Sequence, residues 1–161
     1  MKKYIKIEYN YINYNKDVSE VLNERDESVT DITINLTSKI TQDNDTETFT
    51  RTAQGKMTED GDIIRISYAE EGAIPVKVLL KDDKLLIRRG VDHNNYSFMK
   101  FVPGEKESCR YVVEGRQMDM VSVTNLLEYT EDEGSHKLRV EYDLFNGLYL
   151  IGNYAVTLIF T

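Results

Sequence analysis

Nucleophilic hydrolysis needs a serine or cysteine held beside a base, commonly histidine. The chain offers His93, His136 and Cys109 for that work. His93 falls within the turn-type run 92–95 and His136 follows Glu133-Gly134 closely, so each is expected to be a solvated surface imidazole. Cys109 precedes Arg110, a cation that could lower its pKa, but free cysteine is among the most buried residue types and an inert interior thiol is the favoured reading. No His/Cys/carboxylate set shows metal-ligand spacing, and Glu131-Asp132-Glu133 lacks the alternating oxygens and turn glycine of a calcium loop. A solvated turn is expected there, with no metal. The nine glycines stand singly rather than in a phosphate-cradling loop. The chain is therefore expected to be no enzyme and to need no cofactor.

Charge narrows the partners. Twenty basic against 28 acidic residues give a net charge of −8, and nucleic-acid affinity comes largely from Lys and Arg displacing counterions. No nucleic acid is expected as a partner, and no membrane surface either, since no basic amphipathic stretch opposes the overall sign. Tyr4 to Tyr14 is broken by Lys6, Glu8, Asn10 and Asn13, unlike an export leader. No run approaches the roughly 18 apolar residues that span a bilayer. A single cysteine permits no intrachain disulfide, which fits a reducing, cytoplasmic setting.

The elements that must position any site come from turn chemistry and hydrophobic period. Turn signals recur at Asp43-Asn44, Asp60-Gly61, Glu71-Gly72, Asp82-Asp83, 92–95, Pro103-Gly104, Glu114-Gly115, Glu133-Gly134 and Asn146-Gly147, because Gly, Asn and Asp tolerate the positive φ of tight hairpins. Nine turns imply about ten strands. Between them apolar residues alternate with polar ones, as in Ile32, Ile34, Leu36 or Leu138, Val140, Tyr142, Leu144, which places them on one face of a strand. With one apolar face and no long amphipathic helix to cover it, the sheet must close on itself. Short connections favour an up-and-down barrel of about eight to ten strands.

Two segments break the alternation. The apolar phase slips within residues 116–130, which predicts a bulge or bend. Residues 148–160 are apolar on both faces and call for a cover, from residues 1–28 or from a second copy of the chain in a homodimer. Within residues 1–28, Tyr4, Tyr9, Tyr11 and Tyr14 make a strand-like, adhesive segment. Asp17 and Glu20 have capping-box spacing ahead of Val18, Val21 and Leu22, which predicts a short N-terminal helix. The division expected is an extension over 1–28 and a barrel domain over 29–161.

From about residue 30 to 160 the chain resembles the YwiB-like family of bacterial proteins, a domain of unknown function with a calycin-type, lipocalin-like barrel. The residues that carry the resemblance are Gly55, Tyr68-Ala69-Glu70, Arg89-Gly90, Phe101 to Gly104, Tyr111 to Gly115, Thr124 and Tyr142-Asp143-Leu144. The resemblance implies the barrel and brings no established activity.

Within those motifs, Tyr68, Glu70, Arg89, Tyr111 and Tyr142 are the polar strand residues and hence the candidate ligand-binding set. Arg89 shares a face with Leu85 and Ile87 by parity, so an inward face would bury its guanidinium and demand an anionic partner, with Glu70 the candidate. Two readings follow. A complete Arg89–Glu70 pair is a structural ion pair, the favoured reading because buried charges are normally paired within the protein. If a ligand carboxylate competes for Arg89, the same residues form a site for a small apolar or acidic ligand. The tyrosines fit either reading, with a ring that fills a core and a hydroxyl that could bind. An interaction module without a ligand is the alternative.

Overall fold

A computed structural model describes residues 29–161 apart from Gly72, and they form one closed antiparallel barrel. Ten strands follow in order: β1 Val29–Gln42, β2 Asp45–Asp60, β3 Ile63–Glu70, β4 Ile74–Lys81, β5 Lys84–Asp92, β6 Asn95–Phe101, β7 Lys106–Val113, β8 Arg116–Asp132, β9 Ser135–Asn146 and β10 Tyr149–Phe160. Each pairs with its neighbours in sequence, and β1 pairs with β10 to close the ring. The up-and-down topology expected from the turn spacing is the one formed. The expected N-terminal helix and tyrosine-rich segment lie outside the described residues.

The turns form where backbone chemistry allows. Glu114-Gly115 and Glu133-Gly134 both hold two central residues at positive φ, the geometry whose twist matches that of the flanking strands. Alternation then fills the interior. Ile32 and Ile34, Ile66, Val76 and Val78, Leu85, Phe101, Leu138, Val140, Leu158 and Phe160 form one buried cluster. A smaller cluster of Leu86 and Phe98, with Leu79 and Tyr96 against it, lies on the opposite face of β4–β6, and Arg88 sits 4.8 Å above the Tyr96 ring.

Three bulges adjust the phase. In β8 the register slips between Thr124 and Leu126, which is the bend expected within 116–130. In β10 it slips between Leu150 and Gly152. Ile151 thereby packs on the core while Leu150 stands exposed. Much of the doubly apolar character of this strand is therefore a change of phase along it, not two buried faces. The third bulge lies between Gly90 and Asp92 in β5.

His136 departs from expectation. The β8–β9 turn is only two residues long, so β9 starts at Ser135 and places residue 136 in phase with Leu138 and Val140. It is 5% exposed, its ring parallel to Phe160 at 4.8 Å, and its Nδ1 lies 2.6 Å from the Tyr129 hydroxyl. His93 stays exposed in the β5–β6 turn. Cys109 is buried, and burial pushes its thiol up from the usual value, so Arg110 in the next position does not activate it.

Candidate functional site

Strand lengths decide where the barrel opens. β3 to β7 are short, while β1, β2 and β8 to β10 are long. β2 pairs with β1 from Asp45 to Thr58 but with β3 only from Gly55 to Asp60. The upper part of β2 therefore runs past the end of β3, and the wall gapes beside Glu70. At this end lies a cavity of about 380 Å³, lined by the apolar Leu36, Ile87, Val140 and Val156 and by the charged Arg51, Glu70 and Arg89. A side chamber of about 190 Å³ opens between β2 and β3 at Arg51, Tyr68 and Glu70. A narrower apolar one of about 100 Å³ continues inward past Tyr68 to Leu85 and Leu158.

Two glycines make room for this arrangement. A Cβ on Gly55 would come within 2.7 Å of the Ser67 carbonyl oxygen and 2.8 Å of Ile34 Cδ1, so Gly55 lets β2 approach β3 opposite Tyr68. Gly90 has φ +149, and a Cβ there would meet the Asn95 carbonyl oxygen at 2.4 Å. It follows Arg89 directly and allows the bulge that ends the β5–β6 ladder at the mouth.

The charged cluster centres on one oxygen. Arg89 Nε donates to Glu70 Oε2 at 2.7 Å, and Arg51 Nη1 donates to the same oxygen at 2.9 Å. Arg51 also lies 3.7 Å from Glu71. Glu70 is 11% exposed, whereas Arg51 and Arg89 keep 43% and 44% of their side chains open. Two cations thus converge on one nearly buried carboxylate, with solvent-facing donors left over.

Three phenols complete the walls. Burial pushes Tyr68 well above the ordinary phenol range, with the Glu70 charge adding to the effect. Burial likewise raises Tyr111 and Tyr142. Tyr111 donates to Met99 Sδ at 3.2 Å. Tyr142 packs on Phe101 at 4.6 Å and stacks on Tyr154 at 5.0 Å. All three remain neutral hydroxyls at physiological pH.

The five candidate residues therefore surround one end of the barrel. Glu70 and Arg89 touch, Tyr111 and Tyr142 line the main cavity with them, and Tyr68 lines the two smaller chambers. Arg89 is not buried as parity suggested. It shares the face of Leu85 and Ile87 but lies near the top of β5, where the wall ends. Sequence reasoning missed Arg51. Counting back by twos from the interior Met57 and Gly55 places it on the inner face, so the signal was present in the alternation.

A closed, ten-stranded, up-and-down antiparallel sheet around an apolar core defines an all-β barrel protein. The chain belongs to the family described as Domain of unknown function (DUF1934), whose model matches residues 34–158. Its fold is similar to that of the ywiB protein from Bacillus subtilis, whose crystal structure superimposes with a TM-score of 0.72 at 19% identity, over 82% of this chain and 91% of that one. A search of curated proteins gave no match.

Proposed function

We propose that the barrel is a binding protein for a small molecule with an apolar body and one anionic group, the body seated between Leu36, Ile87 and Val156 and the anion held by Arg89 and Arg51. The observation that carries this reading is the cavity of about 380 Å³ with two guanidiniums sharing a single carboxylate at its edge. Ligand sites are usually apolar clefts of roughly 300–1,000 Å³ with a few converging polar groups. Glu70 keeps the arginines oriented while the site is free, and an incoming carboxylate takes their outward donors. Binding rather than catalysis is favoured because the mouth offers neutral phenols in place of a nucleophile beside a base.

The test is native mass spectrometry and titration calorimetry with decanoate and phenylacetate, using decanol as the uncharged control. One acid is expected to bind at one equivalent, at least about tenfold tighter than the alcohol, with the preference lost in Arg89→Ala. Equal weak binding of acid and alcohol, or binding that Arg89→Ala leaves unchanged, overturns the reading.

A second reading draws on the mouth end itself, where Phe49, Val91, Val113, Met118, Leu148 and Tyr149 are all exposed. Exposed apolar residues gathered at one end are the mark of a partner surface. Under this reading the end docks a second copy of the chain. Sedimentation velocity decides it, since a dimer disrupted by Leu148→Glu and Tyr149→Glu supports docking and a monomer at all concentrations removes it.

A further inference from the structure

The barrel end opposite the mouth gathers a different set of side chains. Glu59 from the end of β2, Glu131 from the end of β8 and His136 from the start of β9 each offer one donor atom, and the three atoms lie within 4.8 Å of one another. Strands β1 and β10 separate β2 from β9 around the ring, so the cluster bridges the barrel end instead of following one sheet edge.

The imidazole is the fixed member. His136 is buried, stacked on Phe160 and held through Nδ1 by the Tyr129 hydroxyl at 2.6 Å. A hydrogen bond to one ring nitrogen is how proteins orient a metal-binding histidine before the metal arrives. The two carboxylates are both exposed. Neither Glu59 nor Glu131 has an ion-pair partner among the described residues. Two like charges brought this close without a cation repel. Asp60 follows Glu59 at the end of β2 and Asp62 lies in the turn just beyond it, which adds negative charge beside Glu59.

We propose that Glu59, Glu131 and His136 form a binding site for one first-row transition-metal dication. One imidazole with two carboxylates suits Zn²⁺ or Mn²⁺. Zinc holds its donors at about 2.0–2.2 Å, so atoms within 4.8 Å of one another need at most a small side-chain rotation to close on one ion, which the exposure of the two glutamates permits. The bound ion neutralises the carboxylate pair and ties β2 to the β8–β9 hairpin across the barrel end. The site is independent of the mouth.

The test uses full-length, tag-free, chelator-treated protein titrated with ZnCl₂ by calorimetry, with proton NMR of the histidine rings in parallel. The chain has two histidines, so each ring can be followed. One equivalent of zinc is expected to bind, to shift the His136 ring signals while leaving those of His93 in place, and to raise the melting temperature. Glu59→Gln and Glu131→Gln are each expected to weaken zinc binding about tenfold or more, and both changes sit on exposed side chains that folding does not need. His136→Gln abolishes binding if the variant folds. The proposal is overturned if no heat and no ring shift appear, if both glutamine variants bind zinc as tightly as the parent, or if binding follows His93→Gln.

Discussion

Arg89 donates from Nε to Glu70 Oε2 at 2.7 Å across the top of the barrel, and Arg51 reaches the same oxygen at 2.9 Å. One charge therefore orients two. Replacing Glu70 by Gln leaves both guanidiniums without that charge, while more than two-fifths of each stays in contact with water. The expected cost in urea unfolding is about 1 kcal/mol, since open ion pairs contribute little. Decanoate affinity is expected to rise several-fold in the same variant, because the internal competitor has gone. A loss of affinity would show that the orientation Glu70 imposes on the two arginines outweighs its competition with the ligand.

Gly90 and Gly55 make a sharper stability prediction. Gly90→Ala forces a Cβ to within 2.4 Å of backbone oxygen in a conformation L side chains avoid, and about 3 kcal/mol or more should be lost. Gly55→Ala meets the Ser67 carbonyl at 2.7 Å and is expected to cost about 2 kcal/mol. Gly61→Ala is the control. Its φ is +61 but nothing lies within 4 Å, so only the left-handed backbone penalty of about 1 kcal/mol applies. Urea midpoints in the order Gly61→Ala, Gly55→Ala, Gly90→Ala, highest first, check this ranking.

Lys100 and Glu107 form a nearly buried ion pair on the barrel wall, 3.4 Å apart with 9% and 16% of their side chains exposed. Glu107→Gln strands a buried ammonium and is expected to cost about 3 kcal/mol. The double variant Lys100→Met with Glu107→Gln removes both charges and should recover most of that loss. A double variant as unstable as Glu107→Gln alone would mean that Glu107 acts through packing and not through charge.

Much of this fold was legible because its information is local. All nine turns occur where Gly, Asn and Asp cluster, and the alternation of Leu138, Val140, Tyr142 and Leu144 reports an inner face without knowledge of any partner strand. The Glu70–Arg89 contact was also within reach, since both residues sit near the same end of neighbouring hairpins. The exposure of Arg89 was not, because it depends on where the wall ends, and that follows from the unequal lengths of β2 and β3. His136 was misread for a related reason. Its place near a turn looked solvated, but the shortness of that turn puts it in strand phase beneath Phe160. The grouping of Glu59 with Glu131 and His136 is set by closure through β1 and β10, and no sequence spacing encodes it.

The buried phenols set the behaviour at high pH. Tyr68, Tyr111 and Tyr142 are all raised, chiefly by burial, so the folded state holds these protons more tightly than the unfolded chain does. Their contribution is fully present below the unfolded phenol pKa of about 10 and is lost as pH rises above it. The tyrosinate absorbance is expected to show a gradual rise from open phenols and then a steep step that coincides with loss of the β-sheet circular dichroism signal. Tyr68→Phe should move that step to higher pH. A smooth titration with the sheet intact would show that the phenols reach solvent without unfolding.

Ser97 separates an open barrel from a filled one. It lies on the inner face of β6, paired with Tyr111 and Arg89 on its two sides, and lines the main cavity. Ser97→Leu puts an apolar side chain into space that the fold leaves empty, so stability should hold or rise by up to about 1 kcal/mol. The same change should block decanoate by occupying the space its apolar body needs. Ser122→Leu is the comparison, because Ser122 is fully buried where β7 and β9 pack beside it. Overpacking there is expected to cost about 1–3 kcal/mol. If Ser97→Leu destabilises as much as Ser122→Leu, the mouth is packed in solution and a ligand has no room to enter. If Ser97→Leu is tolerated and decanoate binding disappears, the cavity is both real and the place where the ligand sits.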